Sequence, residues 1–237
     1  MTDDTQFDAE TDPDHPHGAA DLLLDAALTH VPFDGWSEAT LKAAAADAEV
    51  PMGLARALYP RGAIDLALAY HKRGDAEMVR RFAAEDHSGL RYSEKVARAI
   101  RIRLELADRE LVRRGATLFA LPQNASDGAK AVWGSADAVW RALGDTSDDV
   151  NWYTKRMTLS GVYSATVLYW LGDDSLGQQA TWDFLDRRIA GVMQFEKAKA
   201  RMSDSRLGQA LAKGPMALLS RLRAPQRPND MPGSFGQ

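Results

Sequence analysis

The residues best placed to do chemistry are Asn151-Trp152-Tyr153-Thr154-Lys155-Arg156. They follow a run of acids and hydroxyls, Asp145 to Asp149, and precede sixteen residues, Met157–Gly172, without a charge. Helical spacing puts Trp152, Lys155 and Arg156 on one face with Tyr153 beside them. Two aromatics next to two cations do recognition, since such anchors dominate interface energetics. The preceding acids predict a helix N-terminus capped by Asp149 or Asp148, whose oxygens accept orphan backbone N–H groups.

Catalytic patterns are missing by comparison. The absence of cysteine excludes disulfides, thiolate catalysis and cysteine metal sites. The chain holds no Glu-x-x-His pair, P-loop or dinucleotide fingerprint. His30, His71 and His87 are isolated in sequence; Glu85-Asp86-His87 reads as a solvated helix end before a turn at Ser88-Gly89. Ser160-Gly161 lies within a helical pattern, not at a strand-to-helix elbow. No enzyme activity, cofactor or metal is expected.

The elements that must position the Trp152 patch are all helical, because 3.6-residue periodicity recurs nearly everywhere and strand alternation almost nowhere. The stripe Leu24, Ala27, Leu28 and Val31 predicts a first helix ended by Pro32. Ser37 caps a second, and Val50-Pro51 opens a short third that stops at Pro60. A fourth runs from about Ala63 to Phe82, with Gly74 as a possible break. Val96, Ile100, Leu104, Ala107 and Leu111 predict a fifth, with a short continuation to Phe119. Trp133 and Trp140 share a further helix; the uncharged helix from Trp152 follows, then one from Leu176 into a basic extension.

Of 237 residues, 45% are hydrophobic and 26% charged, as in an ordinary globular protein. No stretch reaches the roughly 18–20 apolar residues that span a bilayer. Residues 1–25 hold eight acids and no Lys or Arg, unlike a targeting signal. Asp12, Asp14, His15 and His17 there read as solvated tail rather than metal ligands. Removing those eight from 33 acids leaves 25 against 29 bases. Residues 197–227 carry eight of those bases and one acid, Asp204. The expected division is a disordered acidic tail (1–18), a helix-turn-helix-like part (19–72), a helical binding part (73–203) and a basic amphipathic segment (204–237).

The patch also resembles a family signature. Asn151 to Arg156, with Thr158-Leu159 and Val162-Tyr163-Ser164, is similar to that of the ubiquinone-biosynthesis lipid-binding accessory proteins. Thr181 to Ile189, Gly35 to Leu41, and Leu58 to Gly62 with Asp65-Leu66 continue the pattern in order. The resemblance implies an all-α fold like that of the TetR-type regulators, used to hold an isoprenoid quinone or other lipid. It implies as partner the di-iron hydroxylase acting on demethoxyubiquinone, docked through Asp145, Asn151, Trp152, Tyr153, Lys155 and Arg156. A homodimer is expected by analogy with regulators of this fold.

On residues alone, a helix apolar all round is core. With the resemblance, a lipid tunnel is expected beside the Tyr163 face, among Leu159, Tyr163, Val167 and Trp170 and the large side chains Leu118, Phe119, Trp133 and Trp140. Near the C-terminus, Met216, Leu218, Leu219 and Leu222 flanked by Lys213, Arg221 and Arg223 read as a membrane-contact helix. The expected location is cytoplasmic, peripheral to a bacterial inner membrane. The rival function is a ligand-responsive DNA-binding repressor. Against it, Pro51 to Leu58 offers one base reader, Arg56, and residues 33–72 carry five acids against four bases.

Overall fold

The structure is a computed structural model; it describes the backbone of residues 16–203 and the side chains of 18–192. The described residues form α1 (Pro16–Asp34), α2 (Glu38–Asp47), α3 (Met52–Leu58), α4 (Ala63–Ala84), α5 (Tyr92–Glu105), α6 (Arg109–Ala120), α7 (Ala125–Ala142), α8 (Val150–Leu171) and α9 (Gln179–Ser203). A 3₁₀ turn, Leu176–Gln178, precedes α9, and no strand occurs among the described residues. The predicted all-α class is what the chain adopts.

The chain divides into two compact units. The first comprises residues up to Arg81 together with Ile102–Ser135. In it α1 packs against α2, α3 and α6. Leu23, Leu24, Ala27 and Val31 of α1 meet Leu41, Ala44 and Ala45 of α2, Ala55 of α3 and Leu111 of α6 in one apolar core. Trp36 closes it, its indole N–H donating to the Leu111 carbonyl at 3.2 Å. Ser37 caps α2 as expected, accepting from the Thr40 N–H.

Three boundaries differ from the sequence reading. Proline does not end α1 at position 32, because the helix continues to Asp34 with Pro32 in its last turn. The predicted fifth helix breaks instead of running on to Leu111: Asp108 caps a new helix, accepting from the Glu110 and Leu111 N–H groups at 2.8 and 3.0 Å. A short carboxylate competing for backbone donors outweighs a continuous apolar stripe there. Gly74 is no break, for α4 passes straight through it.

Gly74 is needed for a close approach. A Cβ there would stand 2.6 Å from the Arg103 guanidinium carbon. Arg103 is buried, donates to Asp75 at 2.7 Å, and reaches the His71 carbonyl at 3.1 Å. Ser135 also donates to Asp75, at 2.8 Å. Having given its only proton to Asp75, Ser135 Oγ must accept from His71 Nε2, 2.7 Å away. Burial pushes the His71 pKa below its ordinary value, which keeps the ring neutral and the arrangement intact near neutral pH. Gly74→Ala should therefore displace Arg103 and lower the free energy of unfolding by about 2 kcal/mol, despite about 1 kcal/mol gained in helix propensity. Urea denaturation of the two proteins measures this.

The second unit comprises Phe82–Arg101 and the chain from Ala136 onward. Here α8 packs along α9. The corner between them is organised by Asp173, whose carboxylate accepts from the Ser175 N–H and the Thr181 N–H, both at 2.9 Å, and from the Thr181 hydroxyl at 2.5 Å. Hydrogen bonds from Thr181, then Ser175, hold this carboxyl far below the usual carboxylate range. Trp170 donates its indole N–H to Gln178 at 2.7 Å, so the last turn of α8 is tied to the same corner.

Candidate functional site

The first turn of α8 begins at Asp149, which accepts from the Asn151 N–H at 2.9 Å, as the acid-rich approach predicts. One turn later the Arg156 side chain runs inward and is 1% exposed. Its guanidinium donates to Asp137 of α7 at 2.6 Å and to Asp145 at 3.2 Å. Lys155 joins the same carboxylate at 2.7 Å, and Ser147 donates to it at 2.8 Å. Burial pushes the Asp145 carboxyl up, but hydrogen bonds from Lys155, Ser147 and Arg156 outweigh it and leave the pKa below its ordinary value. Trp152 lies on the Arg156 guanidinium, 4.1 Å from ring centroid to Cζ, and meets Tyr153 edge to face at 4.8 Å.

The six residues of the expected docking patch are thus brought together, but in two layers. Asn151 is exposed, and Trp152, Tyr153 and Lys155 are half-buried. Arg156 and the Asp145 carboxylate, only 3% exposed, sit behind them. Helical spacing places Arg156 beside Trp152 but says nothing about depth, so its shared face was read as a surface. Arg156 supports the aromatics from beneath and cannot itself reach a partner.

The same helix borders a cavity of about 280 Å³ within the second unit. Tyr92 and Val96 come from α5, Trp140 from α7, Leu159 and Val162 from α8, and Ile189 and Val192 from α9. Asn151, Thr154, Lys155 and Thr158 complete it from the first turns of α8. Trp140 is held between Tyr92, stacked at 5.9 Å, and the Lys155 ammonium, 5.6 Å from its ring. The wall is predominantly apolar with few polar groups, the usual character of a small-molecule site, and its volume is near the lower end of about 300–1,000 Å³.

Of the eight residues expected to hold lipid, Trp140 and Leu159 line this cavity. Tyr163 and Trp170 are buried in the packing of α8, and Val167 is half-buried. Leu118, Phe119 and Trp133 belong to the first unit, where the first two pack against its core. Sequence reasoning passed over Tyr92, Val96, Ile189 and Val192. Their signal was present, since Val96 headed the stripe of the fifth helix and Ile189 closed the last signature block. Lys213, Met216, Leu218, Leu219, Arg221, Leu222 and Arg223 lie outside the described residues.

One expectation about α8 is corrected. A charge-free helix is not buried all round here: Met157 is 63% and Leu168 67% exposed, with Tyr169 also at the surface. On α3 the one basic side chain, Arg56, is paired with Glu38 at 2.5 Å, which leaves little to neutralise a DNA phosphate. Among the described residues no helix is long and apolar enough to cross a membrane, and no cluster of His, Cys, Asp or Glu could hold a metal ion.

Comparison with known proteins bears on the same region. Residues 125–196 match the COQ9 family model. The chain is 29% identical over 180 residues to the mitochondrial ubiquinone biosynthesis protein COQ9 of Drosophila melanogaster, covering 73% of this chain and 55% of that protein. It is 28% identical over 203 residues to the Xenopus tropicalis protein of the same name, covering 82% and 63%. The human protein is 26% identical over 206 residues. The chain therefore spans between 55% and 63% of the length of these first relatives. A solved TetR transcriptional regulator from Nitrosomonas europaea ATCC 19718 superposes with a TM-score of 0.58 at 23% identity, covering 73% of this chain and 96% of that one, and shows the fold.

Arg156→Met should lower stability by about 3 kcal/mol, because Asp137 and the buried Asp145 carboxylate lose the guanidinium they share. Chemical denaturation checks the value. Loss of near-ultraviolet dichroism at 25 °C would show that the Trp152 and Tyr153 rings lose their fixed setting.

Proposed function

The chain is a relative of the COQ9 proteins on a TetR-like fold, and from that premise we propose that it is a non-catalytic lipid-binding factor of ubiquinone biosynthesis. It takes a quinone intermediate or another isoprenoid lipid into the cavity of the second unit and presents it to the di-iron demethoxyubiquinone hydroxylase. The observation that carries this reading is the apolar cavity between Trp140, Leu159 and Val192, bordered by the helix that bears the aromatic patch. Burial of apolar surface at about 25 cal/mol per Å² needs no catalytic group and few polar ones. A cavity of about 280 Å³ encloses only part of such a lipid, and the rest lies outside it.

Presentation requires a second surface, and Asn151, Trp152 and Tyr153 supply it. A ring pair fixed against a buried guanidinium is rigid, so little conformational freedom is lost on docking. The protein works as a homodimer peripheral to a bacterial inner membrane, with the basic C-terminal segment as its membrane contact.

Val192→Trp should fill the cavity, since Val192 is half-buried on its wall and the larger ring has room to enter. Native mass spectrometry of the purified variant should show little co-purified lipid beside a lipid-bearing parent, at unchanged melting temperature; a parent free of lipid would sink the reading. Trp152→Ala combined with Tyr153→Ala should weaken capture of the hydroxylase by about a hundredfold, as expected for two aromatic anchors. Lipid content should remain as in the parent. Unchanged capture would remove the patch from the mechanism.

A further inference from the structure

The polar cluster of the first unit serves neither the cavity nor the aromatic patch. Asp75, Arg103 and Ser135 are buried there, with His71 one turn before Asp75 on α4. The charged groups facing the imidazole are Asp75, 3.6 Å from Nε2, and Arg103 of α5, which donates to Asp75 at 2.7 Å. From α7 come two acceptors, the Ser135 hydroxyl at 2.7 Å and the Ala131 carbonyl at 3.1 Å. Both lie within reach of Nε2, so the Nε2–H tautomer fits, and its one proton ties α4 to α7. With the ring neutral the cluster is balanced, because Asp75 and Arg103 cancel.

A second proton on the ring upsets that balance. Loss of hydration and the nearby Arg103 guanidinium together outweigh the attraction of Asp75, and the His71 pKa lies below its ordinary value. The side chain is 19% exposed, so a rotation brings the ring to water. Another link to α7 behaves differently. Arg61, in the turn before α4, donates to Asp127 at 2.9 Å, and such a pair keeps its charges between pH 5 and 8. Asp127 and Ser135 lie eight residues apart on α7, about 12 Å of helix.

We infer that His71 is a proton-operated latch. Neutral, it clamps the α7 turn around Ser135 to α4. Protonated, it swings to water and leaves Ser135 and Ala131 without their donor, while α7 stays tethered at Asp127. The closed form resists protonation, so the open form binds more protons between the lowered pKa and the ordinary value of about 6.5. The clamp is complete above that window and weakens as pH falls through it, by up to about tenfold in the opening equilibrium per pH unit.

Hydrogen exchange of the full chain at pH 7.5 and 5.5, corrected for intrinsic rates, tests this. Opening of the amides around residues 131–135 should rise severalfold at pH 5.5, while those beside Asp127 and in α2 keep their protection. His71→Gln sets an amide N–H where the Nε2–H stood and does not titrate, so the rise should vanish in it. His30 and His87 remain in that variant and act as internal controls. A rise of the same size in His71→Gln, or one spread evenly over the first unit, would overturn the latch. Should His71→Gln melt early, the imidazole titration of the parent by NMR decides. A midpoint below about 6.5 that coincides with the opening of α7 supports the latch, and a midpoint at or above it overturns it.

Discussion

The buried guanidinium of Arg156, held between Asp137 and Asp145, is the interaction on which the rest of the second unit depends. It fixes the start of α8 against the end of α7, and through Asp145 it fixes the loop between them. A buried cation left without partners costs several kcal/mol, so the two helices cannot slide independently. Everything of functional interest is registered on that point. Trp152 rests on one face of the guanidinium, while Leu159 and Val162, one and two turns further on, face the cavity.

The second constraint is the corner at Asp173. By taking the backbone N–H groups of Ser175 and Thr181 it fixes where α9 starts, and thereby which α9 residues face α8. Val192 reaches the cavity because α9 leaves this corner in one register. A rigid corner at one end and a buried ion pair at the other hold α8 at both termini. The helix is free of charge between them and can present a cavity wall and an exposed apolar strip without losing its place.

Much of this was legible in the sequence, and the successes share a cause. Caps at Ser37 and Asp149 and the all-helical class follow from interactions within a few residues. Local hydrogen bonding and 3.6-residue periodicity are properties of the chain itself. The misreadings were about depth and partners. Arg156 was read as surface because cations usually are; two acids, eleven and nineteen residues upstream, made burial possible. Gly74 offers a possible break because glycine weakens helices; the reason for it lies in Arg103, distant in the chain.

The cavity shows the same limit. The family resemblance implied a tunnel among large apolar residues, but Leu118, Phe119 and Tyr163 go into packing while Tyr92, Val96, Ile189 and Val192 line a cavity. Sequence alone determined the helices, their caps, the charge-free character of α8 and the grouping of aromatics with cations at its entrance. Tertiary structure decided which of those side chains were spent on the core, which bordered empty space, and which cations found an acid. The physical reason is that a residue's type sets what it can exchange with water, whereas its burial and its partners depend on segments far away in the chain.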